Sequence, residues 1–372
     1  MAATKELRKR AERAPRTPPV RLRRSDTGGP GIRRRRAGRG FVYLDPDGER
    51  VTDTEVLARI HDLVIPPAWE DVWICPYPGG HIQATGTDAR GRKQYLYHRR
   101  WRERRDQEKF DEMLLFARTL PRMRRRVEQD LEGAGDGDLS RERVLAAAVR
   151  LLDRGFFRIG SEDYAVENET YGLATMRKDH ASLVNGFVVF DYPAKHGKRQ
   201  VRHVVDPEVA SVVARLKRRR GGSPELLAYR DGGRWVDVKS LDINDYIKRA
   251  TGEDFSAKDF RTWGATVLAA VALAVAAEPR HDTPTARKRA VTRAIKEVAH
   301  HLGNTPAVAR ASYIDPRVID RYLDGITIRP ALELPSADPA DTAIQGDVEA
   351  AVLDLIEDER GSELVGVVEG AA

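Results

Sequence analysis

A basic, an amide and a phenolic side chain lie in the C-terminal half at a spacing that could support chemistry on a phosphodiester. Arg261 is predicted near the start of a long helix, where its guanidinium and the helix dipole could both face a phosphate. Asn304 is predicted just beyond the end of another helix, and Tyr313 follows nine residues later. A tyrosine hydroxyl can attack phosphorus, and guanidinium or amide donors can stabilise the charge that develops on the phosphate oxygens. Taken singly, each residue is more often a surface or packing residue, so the combination carries the hypothesis.

The sequence gives little support to chemistry that depends on a metal or a nucleotide. Asp45 and Asp47 stand in an Asp-Pro-Asp-Gly turn, and His300 and His301 are adjacent, so they point to different faces of a helix. The single cysteine, Cys75, cannot build a cysteine-rich zinc site, and no Gly-x-x-x-x-Gly-Lys-Ser/Thr loop is present. We therefore expect no metal and no cofactor.

Charge is distributed unevenly along the 372 residues, whose net charge is +7. Residues 1–40 carry 14 Lys/Arg and 3 Asp/Glu, whereas residues 331–372 carry 1 Arg and 11 Asp/Glu. A basic arm, a mildly basic middle and an acidic tail favour a polyanionic partner, with nucleic acid as the first choice. The alternative is that both tails only increase solubility.

Segment hydrophobicity and cysteine content predict a cytoplasmic protein. No run of about 18 apolar residues appears, and the alanine-rich stretch 267–277 is typical of a buried helix. The N-terminus lacks the apolar core of a signal peptide, and one cysteine fits a reducing compartment. We expect no membrane association.

The pattern of turns and apolar residues predicts an α+β protein with a small N-terminal antiparallel β-sheet lobe and a larger, mainly α-helical lobe that contains a β-hairpin. Residues 1–38 are predicted to be a disordered basic arm, because they are rich in Arg, Pro and Gly. Residues 39–118 form the β-rich lobe, with strands near residues 41–44, 71–75, 81–85 and 94–98 and a short helix from residue 53 to about 61.

Helical periodicity dominates residues 119–328. Helices are expected near residues 110–132, 140–156, 163–175, 207–220, 242–250, 260–277 and 284–301. Residues 187–192 and 200–205 alternate like strands around a basic turn, which predicts the hairpin. Residues 329–372 are expected to form an acidic, disordered tail.

Five separated motifs, in order, resemble the type IB DNA topoisomerases, especially the compact bacterial and poxvirus enzymes. The resemblance spans about residues 38 to 326 and rests on the following segments: Gln83 to His98, Phe157-Arg158-Ile159-Gly160-Ser161-Glu162, His196-Gly197-Lys198-Arg199, Ala257-Lys258-Asp259-Phe260-Arg261-Thr262-Trp263, and Leu302-Gly303-Asn304-Thr305-Pro306 followed by Ser312-Tyr313-Ile314-Asp315-Pro316.

The resemblance implies a role for each matching residue. Tyr313 corresponds to the nucleophile, Arg158 and Arg261 to the pair of arginines that binds the non-bridging oxygens, and Lys198 to the general acid for the 5′-oxygen. Lys195, three residues earlier, is the competitor; Lys198 is favoured because it follows a glycine. Asn304 stands where many relatives have histidine, so it can donate a hydrogen bond but cannot transfer a proton.

The same resemblance implies DNA contacts in both lobes. In the N-terminal lobe these are Arg92, Lys93, Gln94, Tyr95 and Tyr97. Tyr95 and Tyr97 alternate along a strand and share a face, with half-buried sheet residues as the alternative interpretation. In the C-terminal lobe Tyr164 is expected to contact DNA, with a packing role as its alternative.

We expect a monomer that clamps double-stranded DNA in the nucleoid and relaxes supercoils through a 3′-phosphotyrosyl intermediate, without ATP or metal. A tyrosine recombinase is the first alternative. It is less favoured because recombinases usually carry a His-x-x-Arg pattern, whereas Lys258 precedes Arg261 here. A DNA-binding protein that has lost catalysis is the second alternative.

Overall fold

The computed structural model describes residues 21–132, 139–162, 165, 169–277, 283–334, 344–359 and 361–367. The chain divides into two compact units, Met1–Lys109 and Phe110–Ala372. The division therefore falls within a helix, Arg99–Glu132, rather than after residue 118 as predicted. The α+β class is confirmed: an antiparallel sheet forms the first unit, and helices with smaller sheets form the second.

The N-terminal unit is built on a five-stranded antiparallel sheet in the order β2-β1-β3-β4-β5. Its elements are β1 (Ile32–Ala37), β2 (Gly40–Leu44), helix α1 (Thr54–Asp62), β3 (Glu70–Ile74), β4 (Ile82–Thr87) and β5 (Lys93–Tyr97). Helix α1 begins where Asp53 accepts hydrogen bonds from the amides of Glu55 and Val56. A small core that includes Ile32, Ile60 and Ile74 holds the unit together.

Strand β1 corrects the prediction that residues 1–38 form a disordered arm. Ile32–Ala37 pairs with β2 on one side and with β3 on the other. The arginine run 33–36 fits a strand because its side chains stay largely exposed and only Ile32 enters the core. Arg34 also donates to the carbonyl oxygen of Trp69 (2.6 Å) and lies over the Phe41 ring. Residues 1–20 lie outside the described residues.

The second unit contains most of the helices and a single large core. Helix α2 (Arg99–Glu132) leads into α3 (Arg141–Gly155), α4 (Pro207–Arg218), α5 (Ser240–Thr251), α6 (Ala257–Ala276), α7 (Pro284–Leu302), α8 (Pro306–Ser312), α9 (Pro316–Leu323), α10 (Arg329–Glu333) and α11 (Asp347–Glu357). The predicted capping box is present at the start of α6, where the Ser256 amide donates to Asp259 Oδ2 (2.8 Å).

The predicted hairpin is part of a three-stranded sheet. Strands β6 (Ala181–Val184), β7 (Phe187–Ala194) and β8 (Lys198–Val204) pair in chain order, and one turn of 3₁₀ helix, Lys195–Gly197, joins β7 to β8. The helix predicted for residues 163–175 is wrong for its described C-terminal part, because residues 169–175 are not helical. Residues 163, 164 and 166–168 lie outside the described residues. Two further two-stranded sheets pair β9 (Ala228–Asp231) with β10 (Arg234–Asp237) and β11 (Ile326–Thr327) with β12 (Gly366–Val367).

Helix α11 corrects the prediction that residues 329–372 form a disordered tail. Its apolar face is buried in the main core through Val348, Val352, Leu355 and Ile356. Its acidic residues, Asp347, Glu349, Asp354 and Glu357, lie outside this buried face, so the helix is amphipathic. Residues 335–343 lie outside the described residues.

Helix α6 is long and apolar enough to cross a membrane by length and composition alone. In the structure, 61% of its most apolar window is buried inside the protein. This is the burial expected of a core helix, and it agrees with the prediction for residues 267–277.

Candidate active site

Tyr313 directly follows helix α8 and is held by a buried threonine. Its amide donates to the carbonyl oxygen of Ala309 (3.0 Å). The Thr266 hydroxyl, on α6, donates to the carbonyl oxygen of Tyr313 (3.1 Å) and accepts from the amide of Asp315 (3.1 Å). Thr266 therefore fixes the backbone that directly follows Tyr313, while the tyrosine side chain stays half-buried.

Arg261 lies in the second turn of α6 and is almost completely buried, with 4% of its surface exposed. It donates to the carbonyl oxygens of Phe156 (2.5 Å) and Leu302 (2.9 Å), which end two other helices. Its guanidinium carbon lies 5.4 Å from the centroid of the Tyr313 ring. Burial, assisted by the charge of Arg158, lowers the pKa of Arg261 to about 10, so the side chain remains protonated at neutral pH.

Arg158 is positioned by a loop in which two glycines touch. Its carbonyl oxygen accepts from the amide of Leu173 (2.8 Å). A Cβ on Gly172 would lie 2.4 Å from the nitrogen of Gly160, and Gly160 itself has a φ of +87°. Only glycine fits this approach, which brings the Arg158 guanidinium to Asn304, whose side-chain oxygen accepts a hydrogen bond from it.

Asn304 lies at the C-terminal end of helix α7, immediately after the left-handed Gly303. Its amide donates back to the carbonyl oxygen of Ala299 (2.9 Å), a hydrogen bond that continues the helix-ending turn. Its side-chain oxygen accepts a hydrogen bond from Arg158, and its side-chain nitrogen is buried. The Asn304 side chain also lowers the pKa of the Tyr313 hydroxyl by hydrogen bonding, so it lies beside the tyrosine side chain.

The surroundings of Tyr313 favour its ionised form. Burial raises the pKa of the phenol, but the charges of Arg261 and Arg158, together with hydrogen bonds from Arg261 and Asn304, act in the opposite direction and outweigh burial. The net pKa of Tyr313 lies below its usual value. A lowered pKa activates a hydroxyl nucleophile.

One cavity of about 280 Å³ connects the tyrosine and the two arginines, and Asn304 is not part of its lining. Its lining includes Arg158, Arg261 and Tyr313, together with Lys195 and Lys258. Lys198 does not line it: this residue begins strand β8, is exposed, and pairs with Ala194 across the hairpin. The 3₁₀ turn places Lys195 rather than Lys198 at the cavity. The sequence favoured Lys198 because it follows a glycine, and that pattern carries no information about which lysine lines the cavity.

Comparison with known proteins identifies the family. Residues 98–328 match the model of the catalytic core of eukaryotic DNA topoisomerase I, and residues 40–88 match the N-terminal domain of bacterial DNA topoisomerase IB. The chain is 31% identical over 300 residues to DNA topoisomerase 1B of Acanthamoeba polyphaga mimivirus, covering 78% of this chain and 87% of the viral protein. The chain belongs to the type IB DNA topoisomerases. DNA topoisomerase I of monkeypox virus is 22% identical over 284 residues, covering 75% of this chain and 83% of the relative.

Strand β5 of this topoisomerase presents part of the predicted DNA-contact set. Lys93, Tyr95 and Tyr97 share its exposed face, and the two tyrosine rings lie parallel with centroids 6.2 Å apart. Both rings are about 40% exposed, at 42% and 40%, which leaves them accessible to a ligand. This face is the more direct candidate for a DNA contact.

Arg92 and Gln94 are instead held by a carboxylate. Arg92 forms an ion pair with Asp88 (2.7 Å), and the Gln94 side chain donates to the same carboxylate (2.9 Å). The hydrogen bonds from Arg92 lower the pKa of Asp88 to about 2. Tyr164 lies outside the described residues.

Sequence reasoning missed Arg202, a third arginine beside the active site. On β8 it faces inward and donates to the side chain of Gln200 (2.8 Å) and to the carbonyl oxygen of His301. Arg202 and Arg261 thus bind neighbouring carbonyls at the end of α7, just before Asn304. The available signal was an arginine at the inward-facing positions of an amphipathic strand.

Proposed function

We propose that this topoisomerase relaxes supercoiled duplex DNA by cutting and resealing one strand through Tyr313. The observation that carries the proposal is the cavity lined by the tyrosine, two arginines and two lysines. In the cleavage step the Tyr313 oxygen forms a bond to phosphorus, and the bond from phosphorus to the 5′-oxygen breaks. The products are a 3′-phosphotyrosyl linkage and a free 5′-hydroxyl, and religation is the reverse reaction.

Arg158, Arg261 and Asn304 would stabilise the charge on the non-bridging phosphate oxygens. Guanidinium groups match the geometry of phosphate oxygens, and Arg261 is already fixed by two carbonyls. The side-chain nitrogen of Asn304, which lies beside the Tyr313 hydroxyl, would supply a neutral donor to the same phosphate. Fixed donors of this kind can account for the absence of histidine, because no proton has to move at this position.

Lys195 is the better candidate for the general acid that protonates the departing 5′-oxygen. It lines the cavity with Tyr313, whereas Lys198 does not. A lysine ammonium carries the proton that such an acid has to donate. We therefore assign this role to Lys195 and keep Lys198 as the control position.

No external energy source is needed in this scheme. The phosphotyrosyl bond retains the free energy of the broken phosphodiester, so religation needs no ATP. The freed 5′ end can rotate about the intact strand, and torsional strain drives that rotation in either direction. The guanidinium charges take the part that a metal ion plays in other phosphoryl-transfer enzymes.

A single chain would bind duplex DNA in the cytoplasm, with the exposed Lys93, Tyr95 and Tyr97 face supplying backbone contacts in the N-terminal unit. Such contacts position the duplex without reading its sequence. Sequence preference would then depend on other residues.

Tyr313→Phe, with Tyr171→Phe as the matched control, tests the proposal, because both tyrosines line the cavity. The wild type and Tyr171→Phe should relax positively and negatively supercoiled plasmid in excess EDTA without nucleotide, and should form a covalent adduct with DNA. Tyr313→Phe should bind DNA normally and form no adduct. An adduct with Tyr313→Phe would refute the nucleophile assignment, and a wild type that binds DNA without cutting it would indicate the inactive alternative.

A further inference from the structure

Glu349 of helix α11 is a carboxylate that is directed into the protein. It lies beside the apolar face of this helix, and only 13% of its side chain is exposed. Its two oxygens accept hydrogen bonds from Trp263 Nε1 (2.6 Å) and from both terminal nitrogens of Arg124 (2.5 and 3.0 Å). Desolvation offsets much of the attraction within a buried ion pair, so a net gain in stability is a weak explanation for this carboxylate.

The Trp263 contact connects Glu349 to the helix that carries Arg261. Trp263 is 3% exposed and lies two residues after Arg261 on α6. Three residues further along the same helix, Thr266 holds the backbone that follows Tyr313. A hydrogen bond to the indole therefore acts on the helical turn between the buried arginine and the support of the tyrosine.

The Arg124 contact connects Glu349 to the helix that leads to Arg158. Arg124, on α2, also binds both oxygens of Asp153 (2.8 and 2.9 Å), whose side chain is 7% exposed. Asp153 lies near the C-terminal end of α3, five residues before Arg158. Gln345, just before α11, donates to the same carboxylate (3.0 Å). The beginning of α11 is thus connected to the helix that carries one site arginine and to the helix that ends just before the other.

We propose that Glu349 is a positioning residue that sets the separation of the Arg158 and Arg261 guanidinium groups. It acts through the indole on α6 and through the arginine–aspartate pair that connects α2 to α3. Two guanidinium groups that share one phosphate must be spaced to match its oxygens, and a displacement of about 1 Å can cost about 10²-fold in rate. The inference rests on the proposed function, which assigns both arginines to the scissile phosphate.

The test compares Glu349→Gln with Glu357→Gln in the full chain. Glu357 is the matched control, because it lies on the same helix and also pairs with an arginine of α2, Arg118, but is exposed at the other end of α11. In Glu349→Gln the side chain keeps its size, but an amide NH₂ replaces one oxygen. Since Arg124 donates to both oxygens, an N–H group opposes a donor of Arg124 in either orientation of the amide.

The first measurement is single-turnover adduct formation at saturating DNA. Glu349→Gln should slow it by about 10-fold to 10²-fold, whereas Glu357→Gln should match the wild type. The dissociation constant for the duplex should be the same in all three proteins, because most of the affinity comes from contacts to other phosphates. If Glu349→Gln forms the adduct as fast as Glu357→Gln, the inference is overturned.

A second substrate separates positioning from a general loss of structure. In this duplex a methyl group replaces one non-bridging oxygen of the scissile phosphate, which removes one of the negative charges that the arginines stabilise. The deficit of Glu349→Gln relative to Glu357→Gln should be several times smaller on this duplex, because misplaced guanidinium groups then have less charge to stabilise. A purely structural defect would slow both reactions equally, and an equal deficit on the two duplexes would overturn the inference.

If Glu349→Gln does not fold, Trp263→Phe takes its place. This variant removes the indole N–H donor but keeps an aromatic ring in the core and leaves the pairing of Glu349 with Arg124 intact. It should show the same dependence on the substrate, and an equal deficit on both duplexes would again overturn the inference. A wild type that forms no adduct would contradict the proposed function itself, whereas an active wild type matched by the variants overturns the positioning role alone.

Discussion

Replacing Leu355 with alanine should destabilise the Phe110–Ala372 unit by about 2–5 kcal/mol, the range for a buried leucine replaced by alanine. Leu355 lies on helix α11, is 3% exposed, and belongs to the main core. Transfer of its side chain out of the core accounts for about 1.5–3 kcal/mol. The remainder is the cost of the cavity left between α11 and its neighbours. If residues 329–372 were a disordered tail, the same substitution would cost almost nothing.

Leu241→Ala is the matched control, because Leu241 is also helical but 73% exposed. Its effect should stay within about 0.5 kcal/mol. The measurement is urea unfolding followed by tryptophan fluorescence and by circular dichroism. Trp263 is a suitable reporter, because its indole nitrogen donates to Glu349 of α11 (2.6 Å). Equal unfolding midpoints for the two variants would show that α11 does not pack as described.

Three further predictions concern the site and the sheet. Lys195→Ala should slow cleavage by about 10²–10⁴-fold. A substrate with sulfur at the bridging 5′ position should restore the rate of this variant, because a thiolate leaves without protonation. If the sulfur substrate restores the rate of Lys198→Ala instead, the general acid is Lys198. Arg202→Ala should slow adduct formation by up to about 10²-fold with unchanged DNA affinity, and Arg202→Lys should recover part of the lost rate. Equal rates in the wild type and both variants would show that Arg202 does not position the active site. Deleting residues 1–38 should abolish the protease resistance of the N-terminal unit, whereas deleting residues 1–20 should preserve it.

Periodicity predicted most of the helices and the hairpin because their apolar faces are well marked. Helix α6 starts with a capping box, and α7 begins at Pro284 and ends before Gly303. These residues mark helix ends through local interactions, so the sequence alone identifies them. Strand β1 could not be predicted in this way. Its arginines look unsuited to a sheet until the pairing with β2 and β3 shows that only Ile32 has to be buried.

The site was predicted residue by residue only where the sequence motif itself sets the geometry. Arg158, Arg261, Asn304 and Tyr313 meet as the motifs suggested. The choice between Lys195 and Lys198 depended instead on how the chain turns between β7 and β8. Lys195 begins a single turn of 3₁₀ helix there and lines the cavity, and no local residue preference identifies that turn. The general-acid role itself stays a prediction.

The contacts of Arg261 explain how the site can be ready before DNA arrives. A guanidinium has five N–H donors. Two of these bind the carbonyl oxygens of Phe156 and Leu302, and Nε is buried without a partner. The guanidinium also hydrogen-bonds the Tyr313 hydroxyl, so Arg261 is held beside the nucleophile before DNA arrives.

The Asn304 side chain also hydrogen-bonds the Tyr313 hydroxyl and lowers its pKa. Both groups are fixed by the end of α7, so their positions relative to each other are set by the fold rather than by the substrate. Donors that need no rearrangement stabilise a transition state most effectively. Keeping a charged guanidinium buried has a cost, which is visible in the lowered pKa of Arg261, and a bound phosphate would offset it by supplying the missing negative charge.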